Sequence, residues 1–274
     1  CLVHLGVVRD RRALVKRAVL GLSAVAFGFA LAAVNFLPFL DYVPQSPRGA
    51  EGGRGYEYSI SFSMPPEEIL SAAVPEQAGI LENYQGRNPF KLHTEYVGAP
   101  VLVLLVLGFA YSRSSRYWWF FGGLGLFALT IALGGYTPLY RLYYELLPGT
   151  ARFRAPSLSY FIVVLSLVAM AAITLENLVR ARAAAAAADR RSAEARSVPT
   201  PTKWLAGMLA AVVLGFVFAS ASAGNAVRDA AAVAGWGRFA LFTSLVCGAI
   251  WLWWADRLRT RAFVFALSLV TVAD

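Results

Sequence analysis

A chain of 274 residues with 58% hydrophobic residues, only 15% charged residues and a formal net charge of +9 lies outside the soluble norm of about 25% charged and about 45–50% apolar. Its mean hydropathy of +0.57 excludes a disordered chain, which needs the opposite bias. With 14% aromatic residues and seven Trp, the composition is that of an all-α polytopic membrane protein.

Taken in chain order, Cys1 comes first, and residues 2–8 read as the tail of an earlier span. The chain is therefore expected to be an internal piece of a longer protein. An acylated N-terminal cysteine would place the next segment outside, but Arg9, Arg11, Arg12, Lys16 and Arg17 form the kind of cluster that stays cytoplasmic. A bilayer span needs about 20 apolar residues. Seven segments are expected to serve: 18–39, 94–111, 117–135, 157–179, 204–223, 239–255 and 260–272. Trp118, Trp119, Trp204, Trp251, Trp253 and Trp254 fall near their ends, as an interfacial aromatic belt requires. Cys247 lies within an apolar run as a small packing residue, and two cysteines supply neither a disulfide framework nor metal-ligand spacing.

Charge placement orients the spans. With the N-terminal cluster inside, the inner segments hold five, two, six and three Lys or Arg, sixteen in all, and the outer segments four, three and two, nine in all. Every short inner loop obeys the positive-inside rule. The basic excess is thus a topogenic signal and no nucleic-acid footprint, which would gather on one face with interleaved aromatic residues. The Ala/Arg-rich stretch 180–203 reads as a cytoplasmic connector, with anionic lipid headgroups as an alternative ligand.

Two outer loops are where function is expected. The first, residues 41–96, holds eight of the sixteen acidic residues and is far longer than a connection needs. Within it, Pro65 and Pro66 followed by Glu67 and Glu68 predict a helix start, with proline in the first turn and carboxylates at the positive end. Ile69, Leu70, Ala73 and Val74 would form its apolar face, and Pro75 its stop. Such a helix suits the membrane surface. In the second loop, residues 136–156, Leu139, Leu142, Tyr143, Leu146 and Leu147 recur at helical spacing, and Arg152 and Arg154 flank Phe153. Two arginines at an outer mouth match phosphate oxygens; the alternative is snorkelling to headgroups.

Several motifs follow one another along these loops: Phe62-Ser63-Met64-Pro65-Pro66-Glu67-Glu68, Asn88-Pro89-Phe90, Thr94-Glu95-Tyr96-Val97-Gly98, Gly134-Gly135-Tyr136-Thr137-Pro138-Leu139-Tyr140, Leu147-Pro148-Gly149 and Phe153-Arg154-Ala155-Pro156. Their order resembles that of YfhO-type bacterial membrane proteins over residues 35–160. Those proteins are in turn similar to integral-membrane glycosyltransferases of the GT-C type. The resemblance implies a multi-pass protein of the bacterial cytoplasmic (inner) membrane. It would transfer a sugar from a polyprenyl-phosphate donor to a cell-envelope acceptor on the extracytoplasmic side. Where the family pattern favours Trp before a loop glycine, this chain has Gln85-Gly86, and Tyr84 offers the nearby ring.

Transfer from a lipid phosphate needs a carboxylate base for the acceptor hydroxyl, or carboxylates on a divalent metal, together with cations for the departing phosphate. By the same resemblance the main acid lies upstream of Cys1. Within the chain Glu95, beside His93 and Tyr96, is the candidate acid. His93, Tyr96 and Tyr84 are candidate donor or acceptor contacts, and Arg152 and Arg154 candidate lipid-phosphate ligands. His4 and His93 are the only histidines, so no His-based metal site is expected. The competing readings are a transporter or lipid flippase, which would call for ionisable residues within the spans, and a non-catalytic membrane scaffold.

Overall fold

The computed structural model describes residues 11–42, 45, 55–75, 77–79, 84, 86–88, 95–147, 150–189, 200–222 and 227–274. Among the described residues there is no strand, and the α-helices are α1 (Arg11–Tyr42), α2 (Tyr56–Ser59), α3 (Ala99–Tyr111), α4 (Arg116–Ala132), α5 (Leu139–Leu146), α6 (Tyr160–Asp189), α7 (Thr202–Ser222), α8 (Val227–Trp254) and α9 (Thr260–Ala273). Among the described residues, four stretches are long and apolar enough to cross a membrane: Val15–Asn35, Pro156–Ala187, Thr202–Ala221 and Ala231–Trp254.

Seven spans were expected, and the other three segments form shorter helices. With 13 residues in α3 and 14 in α9, each reaches about 20 Å at a rise of about 1.5 Å per residue, against a hydrocarbon core of about 30 Å. The local cause in α3 is legible. Gly98 has φ 100°, Pro100 occupies the first turn, and the helix starts at Ala99 instead of residue 94. At the opposite extreme, α8 begins at Val227, so Arg228 and Arg238, expected in an outer loop, both belong to a helix.

The helices pack as a bundle in which α6 lies against α3 and α4, and α8 against α3, α7 and α9. Val103 and Leu107 of α3, Leu178 of α6, Leu205 of α7, Val246, Ile250 and Trp253 of α8, and Phe263 and Leu267 of α9 share one core. In lipid, apolar side chains gain little by leaving their surroundings, so close approach through small residues and good packing must hold helices together. Gly108 on α3 shows this: a Cβ there would lie 2.6 Å from Trp118 Nε1 of α4. Gly125 on α4 lets Ser166 of α6 approach, where a Cβ would meet Ser166 Cβ at 3.1 Å. α1 stands apart, and none of its described side chains is buried.

The bundle has two chemically different ends. At one, Asp274 after α9 meets Tyr96 before α3 and Ala99 at its start, and Met64 meets Ala132 at the end of α4. At the other, Arg182 of α6 meets Asp256 between α8 and α9. The described parts of the long loops therefore sit at the end away from Arg182 and Asp256.

One glycine fastens the first loop to the bundle. Gly235 of α8 faces the Pro75 carbonyl oxygen so closely that a Cβ would collide with it, whereas Gly207 of α7 has open space. Gly235→Val is expected to lower stability by about 1–3 kcal/mol, and Gly207→Ala, inside α7, to raise it by about 0.5–1 kcal/mol. Thermal unfolding of the two variants in detergent checks the difference.

Candidate functional site

The two long loops fold onto each other above α4 and α6. Helix α4 ends at Ala132, and the end of any helix leaves carbonyls in need of donors. The Met64 amide supplies one, donating to the Ala132 carbonyl at 2.9 Å. Next, the Gly135 amide donates to Ser63 Oγ at 3.0 Å, and the Ala155 amide to the Ser61 carbonyl at 2.9 Å. Gly134 has φ 50° and faces Ser63 and Pro156 without space for a Cβ, so no other residue fits. A buried hydroxyl pair, Ser59 and Tyr140 at 2.9 Å, closes the contact from the side of α2 and α5.

This junction positions Arg154. Phe62 and Ala155 lie on its two sides, both left-handed with φ 60° and φ 61°, a conformation costing a non-glycine residue about 1–2 kcal/mol. Backbone strain of this kind persists where the surroundings over-determine it and clusters at functional sites. The Arg154 guanidinium lies 5.2 Å from the Phe62 ring centroid and 5.8 Å from that of Tyr58, within the reach of cation–π attraction. Its side chain is exposed, and among the described residues its N–H groups have no hydrogen-bonding partner. Arg152 ends the 3-10 turn Thr150–Arg152, two residues before it; its side chain lies outside the described part.

A second cation links the loops. Arg87 forks onto Glu67, with Nε donating to Oε1 at 2.8 Å and Nη2 to Oε2 at 2.6 Å, and lies 4.6 Å over the Tyr136 ring. The paired guanidinium holds the Glu67 carboxyl below its usual range. Beside it, Glu68 is fully buried and accepts a hydrogen bond from the Tyr84 hydroxyl. That hydroxyl also accepts from the Asn88 amide at 2.8 Å. Burial first, and the Glu68 contact second, push the Tyr84 phenol up, so it remains a donor at neutral pH. Two more polar atoms of this loop, Ser71 Oγ and Gln77 Oε1, are buried without a hydrogen-bonding partner.

The helix expected after Pro66 exists as the 3-10 segment Pro66–Ala72, with Glu67 and Glu68 in its first turn. Ile69 and Leu70 point outward, while Val74 is buried against Ala99, Val212 and Phe239. In α5, Leu139, Leu142 and Leu146 are exposed on one face and Tyr140 is buried, the pattern of an interfacial helix.

The remaining expected site residues separate. Glu95 is buried, and its carbonyl accepts from the Tyr160 hydroxyl at 3.4 Å, at the head of α6. Tyr96 belongs to a different cluster: its hydroxyl donates to Asp274 at 2.7 Å, and the Ala99 amide, the first of α3, donates to Asp274 Oδ2 at 2.6 Å. Tyr84 is a strut on Glu68, so its hydroxyl is engaged within the loop. His93 lies outside the described residues. Sequence reasoning missed Tyr58, Phe62, Glu68, Arg87 and Tyr136. Only Glu68 carried a readable signal, as a carboxylate in a proline-led first turn; the others depend on ring contacts between residues 49 to 96 positions apart. Among the described residues, no three His, Cys, Asp or Glu gather as metal ligands.

Comparison with protein-family models, curated proteins and solved structures finds no match to this chain.

Two outcomes follow from this geometry. Ala155→Gly removes the left-handed strain at the cost of glycine's greater chain entropy, leaving a gain of about 0.5–1 kcal/mol that thermal unfolding measures. For Glu67, the folded carboxyl titrates below the unfolded one, so the Arg87 contact stabilises the fold above the unfolded value of about 4.3. That contribution disappears as pH falls through the lower folded value. The melting-temperature difference between the wild type and Glu67→Gln is expected to be constant from pH 6 to 8 and to shrink below about pH 4.

Proposed function

We propose that this chain is part of a membrane glycosyltransferase-like protein whose two loops receive a polyprenyl-phosphate-linked sugar on the extracytoplasmic side of the bacterial inner membrane. In this reading α3, α4 and α9 complete a set of seven spans with the four longer helices, their shortness matched by tilt of their neighbours and local thinning of the bilayer.

The observation that carries the proposal is Arg154: an exposed guanidinium with unengaged N–H donors, held between two left-handed residues and braced on two aromatic rings. Stacking on a ring face leaves a guanidinium's in-plane donors pointing outward, ready for the oxygens of a phosphate. The second loop and the start of α6 also carry exposed apolar side chains, Leu139, Leu142, Leu146, Phe153, Leu158 and Phe161, which a polyprenyl chain or lipid would cover.

The chemistry is a displacement at the anomeric carbon. An acceptor hydroxyl oxygen forms the new glycosidic bond while the bond from that carbon to the phosphate oxygen breaks. The hydroxyl proton passes to a carboxylate, and the lipid phosphate leaves with the bonding electrons. Arg154, with Arg152 two residues away, stabilises the charge that develops on the leaving phosphate. Glu95 is the acid of this chain assigned to the proton.

In the full-length protein, the double variant Arg152→Ala, Arg154→Ala is expected to abolish polyprenyl-phosphate-dependent sugar transfer, a loss of at least about 100-fold, without loss of membrane expression. Radiolabelled sugar transfer in membranes, with immunoblotting for expression, is the measurement. Unchanged transfer would falsify the phosphate assignment.

A further inference from the structure

At the end of the bundle away from the loops lies a cavity of about 460 Å³ between α6 and the turn joining α8 to α9. Its wall is divided. Val179, Ala183 and Ala186 of α6 form an apolar side, and Arg182, Asp256 and Thr260 a polar one, with Trp253 and Trp254 between them. A pocket that is greasy on one side, polar on the other and rimmed by tryptophan has the makeup of a membrane–water boundary.

Arg182 is built into this pocket. Its side chain is only 19% exposed, and its guanidinium lies 4.5 Å over the Trp253 ring. Nη2 donates to Asp256 Oδ1 at 2.7 Å, and Nη1 reaches Thr260 Oγ1 at 3.4 Å. Thr260 Oγ1 also accepts from Trp253 Nε1 at 3.2 Å, and Trp253 stacks on Phe263 with centroids 4.5 Å apart. The arginine is thus held from three directions, while its Nε has no partner among the described residues. Asp256 is held left-handed, with φ 61°, and its carboxylate is 93% exposed. It is therefore a lightly buried counter-ion that water already solvates.

The charge around the pocket is unbalanced. Arg257, Arg259 and Arg261 extend from the same turn, exposed, and among the described residues their side chains have no ion-pair partner. Asp256 is the carboxylate among the described lining residues, and Arg257, Arg259 and Arg261 follow it within five residues. From this we infer that the pocket is a binding site for the phosphodiester headgroup of an anionic phospholipid, with Arg182 gripping the phosphate and its acyl chains running along Val179 and the apolar flank of α6. Arg257, Arg259 and Arg261 add the longer-range attraction that basic side chains exert on an anionic leaflet. The inference rests on the chain's lying in a bilayer and is independent of the sugar-transfer reading.

The test uses the full chain in phosphatidylcholine nanodiscs doped with phosphatidylglycerol, with native mass spectrometry counting the phospholipids retained after release. The wild type is expected to retain phosphatidylglycerol in excess of its share of the bilayer. The triple variant Arg257→Gln, Arg259→Gln, Arg261→Gln alters only exposed, unpaired side chains, so folding is not at risk; its enrichment is expected to fall by roughly five-fold for each arginine removed. Arg182→Lys keeps the charge and loses the planar fork. It is expected to reduce enrichment several-fold while the melting temperature confirms a folded bundle. No enrichment in the wild type would overturn the inference, as would enrichment unchanged in the triple variant or in a folded Arg182→Lys. Displacement of the retained lipid by inorganic phosphate alone would assign the pocket to a soluble anion and overturn the lipid assignment.

Discussion

The hydrogen bond from the Met64 amide to the Ala132 carbonyl is the point on which the loop end of the structure turns. A helix that emerges from an apolar slab must give its last carbonyls partners, because neither lipid nor an apolar neighbour supplies them. Here the partner comes from a loop nearly seventy residues earlier in the chain. Once Met64 is fixed, Ser63 Oγ is in place to accept from Gly135, and the backbone at Ser61 to accept from Ala155. The two loops then satisfy each other's backbone and behave as a single cap on α4 and α6. The left-handed residues Phe62 and Ala155 sit where that pairing forces the chain to turn, and Arg154 takes its direction from them.

The same economy does not operate at the opposite end. There the connections are short, and the turn between α8 and α9 is held by side chains: Arg182 on Asp256, Trp253 on Thr260 and Phe263. Exposed ion pairs alone contribute little. This one is different in kind, because the guanidinium is sandwiched between a carboxylate and an indole face and is largely removed from water. The result is a bundle with a backbone-bonded, aromatic and acid-bearing cap at one end, and a guanidinium-rich rim at the other.

Much of the first layer of this organisation was legible in the sequence. Apolar runs of twenty residues mark α1, α6 and α7 because length and composition are local properties. The start of α6 after Pro156 and the exposed leucine stripe of α5 were equally readable from spacing. What escaped was set by single backbone details. Gly98 and Pro100 shorten α3 from its expected eighteen residues to thirteen, and nothing in hydropathy registers a positive φ. Helix α8 runs twelve residues further than expected, because Arg228 and Asp229 look like a loop to a hydropathy window although helical geometry tolerates them. The candidate site divides in the same way. Arg154 could be named from its setting beside Phe153, Ala155 and Pro156. Its bracing on Tyr58 and Phe62 could not, since cation–π partners separated by more than ninety residues leave no local trace.

The division of Glu95 from Tyr96 shows how far this matters for chemistry. Adjacent in sequence, they were read as one cluster, yet an extended chain points successive side chains to opposite sides. Tyr96 turns to Asp274 and the first amide of α3, where a carboxylate at a helix start complements the positive end of the dipole. That pairing consumes the Tyr96 hydroxyl in holding the start of α3 and the end of α9 together. Glu95, by contrast, is buried at the head of α6, linked through Tyr160 to the chain that begins at Arg154. Of the two neighbours, then, it is Glu95 that shares its supporting element with the exposed guanidinium. A phosphate held by Arg154 and a proton acceptor at Glu95 would both depend on the turn Pro156–Ser159 that separates Arg154 from Tyr160. The geometry of that turn, held by Ser159 Oγ donating to the Pro156 carbonyl at 2.7 Å, is the physical link between the two groups on which the sugar-transfer reading relies.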